Sequence, residues 1–248
     1  VDIADEVEHL IVTKGAFDNV LACCSAIAVQ GGEQPLDAAV RDRLSASCAA
    51  RGAQGFRVLG VATRRLAPRP RYAPSDETDM VFRGFLMFFD PLKDGITDTL
   101  RDLAALGIKV KVITGDNRHV AAHVGASVGL GAALITGDEL NRTRDEALWH
   151  LAETTDIFAE VDPQQKERIV GALQARGHSV AYLGDGINDA PALRRADVGI
   201  SVDQAVDVAR DSADIVLVDR DLGVLLQGIA DGRRTFANTL KYITITTS

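Results

Sequence analysis

Three polar clusters in this sequence carry side chains suited to phosphate chemistry. They are Thr114-Gly115-Asp116, then Lys166 shortly after Pro163, then Gly184-Asp185-Gly186-Ile187-Asn188-Asp189. Asp185 and Asp189 put two hard oxygen ligands near each other, as Mg²⁺ prefers. Gly184 and Gly186 let the backbone bend sharply and approach a phosphate. Thr114 offers a hydroxyl and Gly115 a backbone N–H, close to a helix N-terminus that favours anions. Lys166 supplies a fixed positive charge for a phosphoryl oxygen. Each cluster alone has a plainer explanation: Asp116 and Asp189 as helix N-caps, the glycines as turn residues. Three of them in order at strand ends outweigh it.

The surrounding pattern supplies those strand ends. From Asp90 onward helix and strand alternate. The spacing predicts helices over 94–106, 117–128 and 163–176, and a long one over 222–242. Buried strands are predicted over 108–113, 179–183, 198–202 and 215–218. Pro163 opens one helix and Gly177 follows it, the usual asymmetry of helix ends; Gly107 is placed to cap another. This rhythm predicts an α/β fold, a doubly wound parallel sheet with helices on both faces. Ligands gather at the carboxyl ends of strands in such a sheet. The first part, 1–89, reads differently: strands over 9–13, 56–63 and 81–89, helices over 16–24 and 36–50, and a Pro- and Arg-rich loop over 66–75.

Composition narrows the classes. The chain has 248 residues, with 27 Lys plus Arg against 35 Asp plus Glu, a net charge of −8. An acidic chain is a poor nucleic-acid binder, so no nucleic-acid partner is expected. Apolar residues at 46% argue against disorder. The uncharged run 119–137 holds two His, four Gly, a Ser and a Thr, too polar for a membrane span. No signal peptide is evident at the N-terminus, and a start at Val1 reads as a processed, excised or incomplete chain. Three cysteines, two of them adjacent, form no disulfide framework and suit a reducing, cytosolic setting. His119 and His123, four apart on a helix without a partnering Glu, read as helix surface or helix packing rather than as a zinc pair.

The strings Thr114-Gly115-Asp116, Asp162-Pro163-Gln164-Gln165-Lys166 and GDGINDAPALRRADVGI (184–200) together resemble the phosphorylation domain of P-type cation ATPases, within the haloacid-dehalogenase-like superfamily. Upstream, Lys14-Gly15-Ala16 and the segment around Arg57 resemble the nucleotide-binding domain of that family, and Asp90-Pro91 its hinge. Stretches 200–203, 206–210 and 232–238 resemble the magnesium-translocating subclass.

The resemblance implies the C-terminal part of an α+β nucleotide-binding domain over 1–89. Over 90–248 it implies a phosphorylation domain that ends in a stalk helix toward the membrane. It implies ATP as substrate near Lys14, Gly15, Arg57 and Asp90, and Mg²⁺ at Asp185 with Asp189 in support. Thr114, Gly115, Asp116, Lys166 and Asn188 would serve the phosphoryl group. The implied setting is the cytoplasmic face of a cell membrane, with the other domains of the same pump as partners and a divalent cation as cargo.

Two departures stand out. The phosphoryl-acceptor motif Asp-Lys-Thr-Gly-Thr is absent, so the acceptor is expected outside this chain. Where the family carries an arginine near the nucleotide, this chain has Glu160. That carboxylate either weakens ATP binding or turns away to pair with Arg57 or Arg118. Two alternatives compete. A free-standing phosphatase needs an Asp-x-Asp nucleophile, and Asp90 to Asp94 has the wrong spacing. The other is a non-catalytic nucleotide- or metal-binding module.

Overall fold

Alternating exposure along β1 (His9–Ala16) marks a strand with one covered face. It belongs to the first of two units, 1–91 and 92–248, in a computed structural model that describes residues 8–219 and 221–247. The first unit continues with α1 (Phe17–Ala22), β2 (Cys24–Val29), β3 (Gly32–Pro35), α2 (Ala38–Gly52), β4 (Phe56–Leu66) and β5 (Met80–Phe89). Its five strands run in the order β1-β4-β5-β2-β3, and only the β2–β5 pair is parallel. Phe17, Val20 and Leu21 of α1 pack on Ala62, Met80 and Phe82 of the sheet. Phe82 meets Phe17 edge to face at a centroid distance of 6.0 Å.

The hairpin of β2 and β3 was not expected. Its strands are rich in Ala, Ser, Gly and Gln, which have little β preference. The turn at Gln30-Gly31, with Gly31 at φ +94°, sets its register.

The second unit contains α3 (Ile96–Ala105), β6 (Val112–Ile113), α4 (Arg118–Ser127), β7 (Leu134–Thr136), α5 (Gly137–Arg142), α6 (Asp145–Thr154) and β8 (Ile157–Ala159). It goes on through α7 (Pro163–Ala175), β9 (Ala181–Leu183), α8 (Ala190–Arg195), β10 (Val198–Val202), α9 (Asp207–Asp211), β11 (Ile215–Leu217) and α10 (Leu222–Thr247). All its strand pairs are parallel, in two three-stranded blocks ordered β6-β8-β7 and β11-β10-β9. Ile113 and Val180 each pack against both large core clusters of this unit and tie the blocks together.

Some expectations need correction. The strand expected over 108–113 is paired only at Val112 and Ile113, because its neighbour β8 starts at Ile157, opposite Val112. Of the strand expected to be buried near 215–218, only Leu217 is buried, since β11 is a sheet edge. The long last helix reaches Thr247 and buries none of its residues among the described ones. Among the described residues no helix is long and apolar enough to cross a membrane.

Candidate functional site

Helix α7 presents Lys166, and local sequence fixes where it starts. Asp162 caps it, accepting from the Gln165 N–H at 2.7 Å, while Gln165 Oε1 accepts from the Asp162 N–H at 2.9 Å. Pro163 fills the first turn, where no N–H is needed. Lys166 thus points inward from the first turn, its side chain only 11% exposed.

Its ammonium donates to Asp189 Oδ1 at 2.7 Å. The same oxygen accepts from the Tyr182 hydroxyl at 2.9 Å, and Oδ2 accepts from the Gly186 N–H at 3.0 Å. Burial pushes the Asp189 carboxyl up, but the donors from Lys166, Gly186 and Tyr182 outweigh it and hold it below the usual carboxylate range. Tyr182 is pushed upward by its own burial and by Asp189, so it stays a neutral donor. In this geometry Asp189 anchors Lys166.

Asp185 and Asn188 are exposed at the carboxyl end of β9. The Asp185 carbonyl accepts from the Val206 N–H at 3.2 Å, and the buried Ser201 hydroxyl holds the Gly184 carbonyl at 2.9 Å. Neither Gly184 nor Gly186 has a positive φ, so a sharp bend is not what selects them. At Gly184 the cause is close approach: an added Cβ would lie 2.5 Å from Asp189 Cβ.

At the end of β6, Thr114 Oγ1 accepts from the Asp116 N–H at 3.0 Å, a short turn that leads into α4. Asn117 caps α4 by accepting from the His119 N–H at 2.9 Å. The Thr114 carbonyl accepts from the Val161 N–H at 3.2 Å, which sets this turn beside the entry to the Lys166 helix. Glu160 pairs with Arg118 at 2.9 Å, the second of the two outcomes expected for it.

Thr114, Gly115, Asp116 and Lys166 are therefore gathered with Asp185, Asn188 and Asp189 at the carboxyl ends of β6 and β9. In the other unit, register places Lys14 opposite Val61 on β4. Arg57, four residues from Val61, shares that sheet face, away from the helices. Gly15 pairs with Gly60 on the helix side, where a Cβ at Gly15 would meet Val20 Cγ2 at 3.6 Å. Asp90 lies exposed just beyond β5.

Tyr182 and Ser201 belong to the site and were missed. Their signal was a lone hydroxyl inside an apolar strand, which must find a partner when buried.

A parallel α/β unit with Thr-Gly-Asp and Gly-Asp at its strand ends, and a buried lysine paired to a carboxylate between them, has the build of a phosphate-handling hydrolase. A family model described as haloacid dehalogenase-like hydrolase matches residues 47–197, and the chain belongs to that family. It is also 45% identical over 99% of its length to "Magnesium-transporting ATPase, P-type 1" of Escherichia coli K12. To the protein of the same name in Salmonella typhimurium strain 14028s it is 46% identical over 97% of its length. The chain spans about 28% of the length of the first of these relatives and 27% of the second.

Proposed function

We propose that this chain is the part of a P-type cation pump that handles ATP and the phosphoryl group, with Mg²⁺ as the transported ion. The observation that carries this is Lys166, buried, held by Asp189 and set beside the Thr114 turn. The relatives' names supply the ion. β6 and β9 each have a single sheet neighbour among the described residues. A strand entering between them from sequence outside this chain would bring its carboxyl end to Thr114, Lys166 and Asp185.

An acceptor aspartate on that strand would attack the γ-phosphorus of ATP. The bond to the bridging oxygen breaks, ADP leaves, and an aspartyl phosphate remains for water to hydrolyse. Lys166 and the Gly115 N–H stabilise charge on the phosphoryl oxygens. Thr114 and Asn188 orient them, and Asp116 fixes the Thr114 turn. Lys14 and Arg57 offer cations to the nucleotide phosphates from one sheet face. Asp185, exposed and carboxylate-bearing, suits Mg²⁺, an ion that keeps several waters and takes phosphate oxygens as ligands. When bound there, the ion would neutralise phosphate charge. Among the described residues no group of three or more His, Cys, Asp or Glu could hold a metal ion. The long exposed α10 is suited to a stalk toward a membrane, on its cytoplasmic side, packed by other domains of the same pump.

Two outcomes test this. The isolated chain, incubated with γ-labelled ATP and Mg²⁺, takes up no label, because nucleophilic catalysis needs its nucleophile. Hydroxylamine-sensitive label on the chain would overturn the assignment of the acceptor to outside sequence. Titrated with Mg²⁺ alone, the backbone amides of 184–189 shift with an affinity on the order of millimolar. An Asp185→Asn variant abolishes the shift; an unchanged response would remove Asp185 from the site.

A further inference from the structure

The turn that carries Thr114 and the turn that leads to Lys166 are fastened together by one side chain. Glu160 stands in the left-handed region at φ +58°, unusual for a residue with a Cβ. Its N–H donates to the Asp116 carbonyl at 3.0 Å, and the next N–H, of Val161, donates to Thr114 O at 3.2 Å. Its carboxylate then reaches α4. Oε1 accepts from the Arg118 N–H at 3.0 Å and from Nε at 3.3 Å, while Oε2 accepts from Nη2 at 2.9 Å. A carboxylate from one loop thus caps a helix whose own N-cap, Asn117, serves a different N–H. It also meets the positive end of the helix dipole. On the other side the Glu160 carbonyl lies close against Gly137, where a Cβ would stand 2.3 Å from it.

We propose that Glu160 is a positioning residue, whose carboxylate locks the Thr114–Asp116 turn and the first turn of α4 to the strand end that leads into the Lys166 helix. This rests on the phosphoryl-transfer function proposed above. The pair sets the Thr114 hydroxyl and the Gly115 N–H in place before a phosphate arrives, so binding need not order them. Charged neighbours are Arg118 and His119 from α4, with Asp138 and Glu139 from α5 also acting on Arg118.

Burial pushes the Glu160 carboxyl up, but the Arg118 hydrogen bonds and charge, helped by His119, outweigh it and leave it below the usual range. Because the folded value is depressed, the lock is complete above about pH 4.3, the ordinary glutamate value, and opens as pH falls through the lower folded value.

In the ¹⁵N-labelled chain, the amides of Arg118, Glu160 and Val161 should titrate together below about pH 4.3, and the step should vanish in Glu160→Gln. Separate midpoints, or an unchanged step in the variant, overturn the lock. In the full-length pump, phosphorylation from inorganic phosphate reads its consequence. E160Q and R118Q should each raise half-saturating phosphate about threefold to tenfold, and the double variant no further, as coupled neighbours do. ATP affinity should stay within about twofold, below the scale of one lost charged hydrogen bond. Additive effects, tighter phosphate binding in E160Q, or a change confined to ATP overturn the positioning role. If the unaltered pump forms no phosphoenzyme at all, the proposed function fails, and the amide titration still decides the lock.

Discussion

Lys166→Met should lower the stability of the second unit by about 3–5 kcal/mol, the cost of removing one partner of a buried ion pair. The side chains of Lys166 and Asp189 are 11% and 13% exposed, so the carboxylate left behind would be poorly hydrated. Asp189 would keep only Tyr182 and the Gly186 N–H as donors. Urea unfolding followed by tryptophan fluorescence reads this unit alone, because the single tryptophan, Trp149, lies on α6. A loss below about 1 kcal/mol would mean that the pair behaves as a solvated surface bridge. Pairing Lys166→Met with Asp189→Leu should recover much of the loss, since no orphaned charge remains.

The pH dependence has a definite sign. The Asp189 carboxyl is depressed in the folded state, so its contribution is full above the ordinary aspartate value, about 3.9. It is lost as pH falls through the lower folded value. In Lys166→Met the buried carboxyl loses the Lys166 donor and takes up its proton at higher pH than in wild type, so the gap should narrow as pH falls, and be smallest once pH is below the depressed wild-type value.

The parts of this site that could be read from sequence are those whose cause is local. Pro163 and Gly177 bracket one helix, so the entry to α7 was visible, and with it the place of Lys166 on the first turn. That the strands of the second unit pair in parallel followed from the alternation of helix and strand. What stayed hidden depends on contacts distant in sequence. The spacing of Asp189 from Asp185 is visible, but its engagement by Lys166 spans 23 residues. The grip of Glu160 on Arg118 spans 42 residues. The stretch 129–162 showed no clear period because β7 and β8 have three residues each, too few to display alternation. Its one local mark was Thr136 followed by Glu139, whose Oε2 accepts from the Thr136 N–H at 2.8 Å to start α5.

Gly184→Ala should be far more damaging than Gly186→Ala, although both glycines belong to one short motif. An added Cβ at Gly184 would lie 2.5 Å from Asp189 Cβ, 2.8 Å from its Cγ and 3.0 Å from Tyr182 Cε1. None of these atoms is the free end of a flexible chain. The Gly184 carbonyl is tied to buried Ser201, so the backbone has little freedom to withdraw. Overpacking of this kind costs about 1–3 kcal/mol. Moving Asp189 also strains its bonds to Lys166 and Tyr182, so the loss should reach the upper end of that range. At Gly186 the nearest atom to an added Cβ is Asp189 Oδ2 at 3.4 Å. The backbone there, at φ −101° and ψ 162°, is one that alanine adopts freely. Gly186→Ala should thus change stability by no more than about 0.5 kcal/mol, with a small gain from the stiffer unfolded chain. Thermal melts of both variants by Trp149 fluorescence test the contrast. If the collision with Asp189 is the cause, most of the cost of Gly184→Ala should disappear in an Asp189→Gly background, where the crowded Cβ and Cγ are gone. A cost that persists there in full would trace the requirement at Gly184 to Tyr182 or to the backbone instead.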